Sequence, residues 1–115
     1  MLKPLANRLV TQKSLNNSTS LVTFYVPNTT KVSDFSKMVN SEISKASNIK
    51  DRQTRQGVQE ALQAVSTHVK RMKTIPSNGV AIFTGSTTEG FESIAVEPPR
   101  PINQFFYRCE NKFCV

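Results

Sequence analysis

An apolar stripe with helical spacing occupies the middle of the chain and sets the main limit on its fold. The stripe consists of Val58, Ala61, Leu62, Val65, Val69 and Met72, and Pro76 forbids a continuation of the helix beyond it. A helix that starts near Arg52 has about 20 residues and a length of about 30 Å. That is long for a chain of 115 residues, which has room for one core. We therefore expect residues 1–115 to form a single domain built on this helix.

A second helix precedes the long one and completes a helix hairpin. Ser33 can cap it, and its apolar residues recur at the offsets of one buried face, namely Phe35, Met38, Val39 and Ile43. Residues 1–17 are weakly patterned and predict only a short, frayed helix between Leu5 and Leu15, which ends at the polar run 16–20.

Four segments have the composition of β-strands. Leu21–Val26 is β-branched and aromatic, stops at a proline, and is predicted to be the central strand. Residues 80–83 and 91–96 predict a hairpin around the loop 85–90, and residues 102–109 predict the last strand. This order predicts an α+β fold, in which a four-stranded, mainly antiparallel sheet packs against the helix hairpin, with a short extra N-terminal helix.

The charge balance points to a polyanionic partner. Lysine and arginine number 15 against 8 acidic residues, which gives a formal charge of +7 and a pI near 9.8. Long-range attraction of this sign favours nucleic acid most simply. The 37% hydrophobic content is enough for a core, so the basic surface belongs to a folded domain.

The same composition argues against several other classes of protein. No apolar run approaches the roughly 20 residues that span a bilayer, and the N-terminus lacks the apolar core of a secretory signal. Cys109 and Cys114 lie near one end and fit a reducing cytosol. One histidine, His68, has no evident catalytic partner nearby in sequence. We therefore expect a cytoplasmic protein without membrane association, metal, cofactor or enzymatic activity; a hydrolase that uses His68 is the weaker alternative.

Residues 45–55 carry four basic groups and one acid at the tip of the predicted hairpin. Cations spaced so densely on a protruding turn can contact several phosphates, while Asn48 and backbone amides can bond base edges or ribose. The alternative is an ordinary solvated loop.

Tyr107, Cys109 and Phe113 are spaced so that an extended strand would place them on one face. An aromatic platform of this kind could stack unpaired bases, with Lys112 nearby. The alternative is that the same face belongs to the core, which suits Cys109 and Phe113 better than Tyr107.

Glu42 is the one acid between Asn40 and Lys50, one helical turn before the basic tip. A carboxylate among cations is usually a local counter-charge. Its alternative role is to read purines, because it accepts a hydrogen bond from the adenine amino group and faces the guanine carbonyl oxygen unfavourably.

Two separated motifs give the chain a family resemblance. Residues 46–50, Ala-Ser-Asn-Ile-Lys, resemble the Thr-Ala-Ser-Asn-Ile-Lys-Ser loop in the N-terminal domain of eukaryotic and archaeal class I translation release factors. Residues 107–113 match the Tyr-x-Cys-x-x-x-Phe motif of that domain. The similarity also extends through the sequence between the motifs and covers about residue 18 to residue 113.

The resemblance implies a domain that recognises stop codons in messenger RNA at the ribosomal A site. The loop then senses the invariant first uridine, the positions of Glu42 and Tyr107 help to read the purines that follow, and Cys109 shapes their pocket above Phe113. The residues expected at the RNA are Thr19, Ser20, Glu42, Ser47, Asn48, Ile49, Lys50, Asp51, Arg52, Arg55, Tyr107, Cys109 and Phe113. The implied partners are the stop codon, the ribosome with its small-subunit RNA and, in a full-length factor, a GTPase class II release factor. We expect a monomer.

Three positions depart from the family pattern. Asp51 replaces the usual serine, Lys45 the usual threonine, and Ser18 the glycine of a Gly-Thr-Ser loop whose Thr19 and Ser20 remain. In some lineages with reassigned stop codons, family members also have an aspartate directly after the lysine that matches Lys50. A carboxylate beside Lys50 would repel phosphate and could tether the ammonium, which suggests recognition of only a subset of stop codons.

The chain also lacks the Gly-Gly-Gln tripeptide that promotes peptide release in the family. We expect that it cannot release a peptide alone, whether it is an excised domain or a naturally short protein. A general single-stranded RNA or ribosome-binding module without codon discrimination is the alternative function.

Overall fold

Four antiparallel strands form the central sheet of the computed structural model, which describes residues 3–115. The strands are β1 (Leu21–Val26), β2 (Val80–Thr87), β3 (Gly90–Val96) and β4 (Phe106–Glu110), in the spatial order β3-β2-β1-β4. The helices are α1 (Lys3–Thr11), α2 (Val32–Ala46) and α3 (Arg52–Lys70). The predicted α+β fold is confirmed, and β1 is an interior strand as expected.

The hairpin of α2 and α3 covers one face of the sheet. The apolar stripe of α3 is buried from Val58 to Val69, and α2 contributes Phe35 and Val39 to the same core. Alternate residues of the inner strands point into this core, as expected for a two-residue side-chain period. A buried polar contact also joins the layers, because the Thr84 hydroxyl donates to the carbonyl of Ala61 over 2.9 Å.

The opposite face of the sheet is covered by α1 and by the C-terminal segment. Leu9 is fully buried in a cluster with Leu21, Phe83 and Phe113. Arg8 of α1 lies 3.2 Å from the carboxylate of Glu92 on β3. The short helix predicted between Leu5 and Leu15 is therefore docked on the sheet, but it spans Lys3–Thr11 and ends before Leu15. Met1 and Leu2 fall outside the described residues.

Two expectations at the ends of helices and strands are wrong. Ser33 does not cap α2; the helix starts at Val32, and Lys31 occupies the cap without a side-chain hydrogen bond. β4 starts at Phe106 rather than near Ile102. The proline-rich segment before it contains bends, and the amide of Ile102 donates to the carbonyl of Asn78 instead of to a strand.

The predicted loop 85–90 is largely strand. β2 continues to Thr87 and β3 begins at Gly90, so only two residues make the turn. Gly85 pairs with Glu92 at a φ of 140°, and a Cβ atom there would lie 2.8 Å from the Ser20 carbonyl oxygen. This glycine therefore permits a close approach of backbone within the sheet rather than marking a turn.

A second close approach joins α3 to the segment before β1. Gly57 lies in the interior of α3, and a Cβ atom at this position would come within 2.8 Å of Ser20 Cβ. Ser20 is buried, with its hydroxyl 2.8 Å from that of Ser18. The missing side chain of Gly57 thus lets α3 lie against residues 18–20.

We expect Gly57→Ala to destabilise the domain, although alanine normally stabilises a helix interior by about 1 kcal/mol relative to glycine. The new methyl group would overlap Ser20, and overpacking of this kind costs about 1–3 kcal/mol. Urea unfolding measures the effect. In a Ser20→Gly background the alanine should be less harmful, because the obstructing carbon is gone. An alanine that stabilises both backgrounds equally contradicts the close contact.

Candidate nucleic-acid interface

The tip of the helix hairpin is a five-residue loop, 47–51, which we call the hairpin tip. Three successive amides, from Ser47 to Ile49, bond carbonyls three residues earlier at 3.1–3.2 Å and close the chain tightly after α2. The predicted basic loop 45–55 is therefore mostly helical: Lys45 belongs to α2, and Arg52 and Arg55 belong to α3. Four residues of the hairpin tip and the first residue of α3 are exposed, namely Ser47, Asn48, Lys50, Asp51 and Arg52.

Asp51 caps α3. Its Oδ2 atom accepts hydrogen bonds from the Thr54 amide at 2.8 Å and from the Thr54 hydroxyl at 2.7 Å. These bonds, with a smaller contribution from Arg55, lower the pKa of the Asp51 carboxyl. The expected tether to Lys50 is wrong for the described residues, where no ion pair joins the two. The spacing of Asp51 and Thr54 is a capping signal that the sequence analysis missed.

Arg55 stabilises the backbone of the hairpin tip through a hydrogen bond from α3. Its Nη1 atom donates to the carbonyl of Ile49 over 3.2 Å, and the Arg55 side chain is half-buried. Ile49 itself is half-buried and packs against the core. These two residues therefore fix the backbone of the tip, on which Asn48 and Lys50 are exposed.

A cavity of about 290 Å³ opens between α2, α3, β4 and the segment before β1. We call it the tip cavity. Its lining includes five of the expected site residues, from segments far apart in sequence: Thr19, Glu42, Ile49, Tyr107 and Cys109. Lys45, one of the four cations of the predicted basic loop, and Thr54, for which nothing was expected, also line it. The fold thus joins the loop motif and the strand motif in one concave surface.

Tyr107 and Cys109 form a neutral pair in the wall of the tip cavity. The Tyr107 hydroxyl lies 3.2 Å from Cys109 Sγ. Burial raises the pKa of the Tyr107 phenol, and the contact with Cys109 and the Glu42 carboxylate act in the same direction. Burial also raises the pKa of the Cys109 thiol. Both groups stay protonated at neutral pH and present weakly polar O–H and S–H groups.

Glu42 supplies the negative charge of the tip cavity. Its Oε2 atom accepts a hydrogen bond from Lys45 Nζ at 3.2 Å, three residues further along α2. The local counter-charge role is thus present. The carboxylate nevertheless borders the cavity and is close enough to Tyr107 and Cys109 to raise the pKa of each.

Phe113 does not join Tyr107 and Cys109 on one face, and the alternative that Phe113 belongs to the core is confirmed. One ring face of Tyr107 is covered by Phe24, whose ring centroid lies 4.5 Å away with planes 12° apart. Phe113 lies on the opposite face of the sheet, 5.8 Å from the ring of Phe83, because β4 ends at Glu110 and the chain then bends. Tyr107 and Cys109 share a face, but Phe113 is buried beneath it.

Ser20 and His68 also lie away from the tip cavity. Ser20 is 2% exposed and faces Gly57, so it is a packing residue, whereas its neighbour Thr19 is exposed. His68 Nε2 lies 2.8 Å from the hydroxyl of Ser93 on β3, and burial lowers the pKa of the imidazole.

Residues 3–115 offer neither a metal-binding cluster nor a membrane-spanning helix. No three side chains of His, Cys, Asp or Glu gather there in an arrangement that could hold a metal ion. Nor does the described part of the chain contain a helix that is long and apolar enough to cross a membrane.

Comparisons with known proteins agree on one family. The family described as eRF1 domain 1 matches residues 2–115. A peptide chain release factor subunit 1 from Methanobrevibacter smithii is 36% identical over 101 residues, which cover 83% of this chain and 24% of the relative. A eukaryotic peptide chain release factor subunit 1 from Tetrahymena thermophila is 36% identical over 119 residues, which cover 99% of this chain and 27% of the relative.

A solved structure shows the same similarity. The crystal structure of an archaeal translation termination factor, aRF1, matches with a TM-score of 0.88 and 32% sequence identity, over 96% of this chain and 30% of that one. The chain spans roughly a quarter of the length of the curated relatives it matches.

We expect Asp51→Ala to lower the melting temperature, because the first turn of α3 loses its side-chain cap. Asp51→Ser should change it little at neutral pH, since serine caps as well as aspartate. The folded pKa of Asp51 is lowered, so the aspartate's stabilisation is present above its unfolded pKa of about 3.9 and is lost as pH falls through the folded value. Calorimetry between about pH 7 and pH 2 should show the melting temperature of wild type falling relative to that of Asp51→Ser only at the acid end. A wild-type melting temperature retained by Asp51→Ala would rule out the cap.

Proposed function

The chain belongs to the eRF1 domain 1 family, and from this premise we propose that it recognises stop codons in messenger RNA at the ribosomal A site during translation termination. One observation carries the proposal: Glu42, Tyr107 and Cys109 border the same cavity as Ile49, beside the exposed Lys50. An exposed basic tip next to a small concave site is suited to an unpaired RNA strand, whose bases can turn out of the stack.

The hairpin tip is the part that meets the first codon base and the neighbouring phosphates. Asn48 offers an amide with donors and an acceptor, and Lys50 offers an ammonium, both on exposed positions. Because Ile49 and Arg55 hold the backbone, these groups approach the RNA from a fixed loop. Such fixed donors favour one base edge over others at the first codon position.

The tip cavity is the part that reads the purines. The Glu42 carboxylate accepts hydrogen bonds and therefore favours the adenine amino group over the guanine carbonyl oxygen. Tyr107 and Cys109 add neutral groups of fixed position, because Tyr107 is held against Phe24. One face of the Tyr107 ring lies against Phe24, so its hydroxyl and its remaining ring surface are what it can offer to a base.

The partners follow from this role. The domain binds the stop codon and small-subunit ribosomal RNA on the cytoplasmic ribosome as a monomer, and in a full-length factor a GTPase class II release factor is a further partner. We assign no catalytic role to the domain, so peptide release depends on another part of the full-length factor.

Asp51 adds a negative charge at the hairpin tip without changing the capping role that serine could also fill. Between Glu42 and Arg55 the chain carries four cations and two carboxylates, a net charge of +2. A carboxylate next to Lys50 weakens the attraction of the tip for phosphate. We propose that this charge narrows recognition to a subset of the three stop codons.

Binding of the 115-residue chain to ribosomes programmed with stop or sense codons tests codon recognition. We expect preference for stop codons, and about tenfold weaker binding after Lys50→Ala, the loss typical of one specific base or phosphate contact. Lys70→Ala, which removes an equal charge at the far end of α3, is the matched control and should have a much smaller effect. Equal affinity for stop and sense codons would favour a general RNA-binding module instead.

A release assay tests codon choice. A chimera of this domain with a standard catalytic domain should release peptide unequally on UAA, UAG and UGA, and Asp51→Ser should make the three rates more nearly equal, because the added charge is removed. Equal rates for the unmodified chimera would overturn the narrowed specificity and leave codon recognition itself intact.

A further inference from the structure

An ion pair lies in the wall of the tip cavity and changes what the cavity offers to a base. Lys45 Nζ is 3.2 Å from Glu42 Oε2, and both residues line the cavity. The Lys45 side chain is 71% exposed, whereas the Glu42 side chain is 20% exposed. Lys45 is therefore the member of the pair that is more accessible to an entering base.

Glu42 and Lys45 supply the formal charges in the lining of the tip cavity. The other described lining residues are apolar or carry hydroxyl or thiol groups. Burial keeps Tyr107 and Cys109 neutral. The polarity seen by a base edge is thus set by the balance between one carboxylate and one ammonium.

The two purines respond differently to this balance. Adenine presents an amino donor where guanine presents a carbonyl acceptor, and both carry an acceptor at N7. A carboxylate alone favours adenine, because it has lone pairs and no proton to donate. An ammonium has three donors, and it can bond the guanine carbonyl oxygen and N7.

We propose that Lys45 sets the purine preference of the tip cavity: by pairing with Glu42 it occupies a carboxylate oxygen and offers donors to guanine, where a lone carboxylate would select adenine. This inference rests on the proposed codon recognition and deepens it. Lys45 acts partly through Glu42 and is in that respect a positioning residue. The sequence pattern placed Lys45 only among the cations of the basic loop, without a role in base choice.

The size of the effect follows from the exposure of the pair. Ion pairs with an exposed partner are weak, and the ammonium can leave Glu42 to bond a base. We therefore expect Lys45 to shift the ratio of affinities for adenine and guanine by about two- to fivefold rather than to impose an absolute choice.

Lys45→Met tests the inference, because methionine keeps an unbranched side chain without the charge. Dissociation constants of the 115-residue chain are measured for ribosomes programmed with UAA, UAG, UGA and the sense codon CAA. We expect Lys45→Met to shift the affinity ratio towards UAA, relative to UAG and UGA, by about two- to fivefold. Lys45→Arg should retain the wild-type ratio, because it restores the cation.

Lys37→Met is the matched control. Lys37 lies on the same helix, is exposed, and makes no ion pair within residues 3–115. It should weaken binding to all programmed ribosomes alike and leave the ratio unchanged. Higher ionic strength should move the wild-type ratio towards that of Lys45→Met, since salt screens an exposed pair.

The outcomes separate the two proposals. A wild-type chain that does not distinguish stop codons from CAA would overturn the proposed function. Stop-codon preference with the same adenine-to-guanine ratio in wild type and Lys45→Met would overturn the role of Lys45 alone. An equal change of ratio in Lys37→Met would also overturn it, because the effect would then come from net charge.

Discussion

The packing of α3 against the two inner strands positions everything else in this domain. It depends on a close approach and a hydrogen bond as much as on apolar contacts. The missing side chain of Gly57 leaves room for Ser20, and the Thr84 hydroxyl donates to the carbonyl of Ala61. With α3 fixed at these points, its first turn is held beside β4. The tip cavity exists because the start of α3 and the middle of β4 are both tied to β1, directly or through the core.

Much of the fold could be predicted from local patterns. The stripe from Val58 to Val69 located α3, and the β-branched run 21–26 located β1 to the residue. The errors have a common cause in non-local contacts. Gly85 looks like a turn residue, yet it is needed where the backbone passes close to Ser20. The docking of α1 through Leu9 depends on a pocket made by residues from three other segments.

The candidate site was less accessible to sequence patterns alone. Nothing in local spacing brings Glu42 beside Tyr107; that proximity arises from the register of β4 on β1, in which Tyr107 pairs with Phe24. Charge and spacing singled out each residue separately and the family resemblance joined them in one pocket, but the strand spacing also placed Phe113 on the face of Tyr107. Because β4 ends at Glu110 and the chain then bends, Phe113 packs on the other face of the sheet. The last residue of so short a strand is difficult to predict from its sequence.

The contact between Tyr107 and Phe24 has a further consequence for how the domain meets a ligand. The Tyr107 ring is stacked on a fully buried core residue and its hydroxyl is held by Cys109, so its rotational freedom is lost when the chain folds. Binding then requires little additional ordering of this side chain, which favours affinity. A rigid wall also cannot adjust to a base of the wrong shape, so mismatched bases are rejected by misfit rather than accommodated by rearrangement.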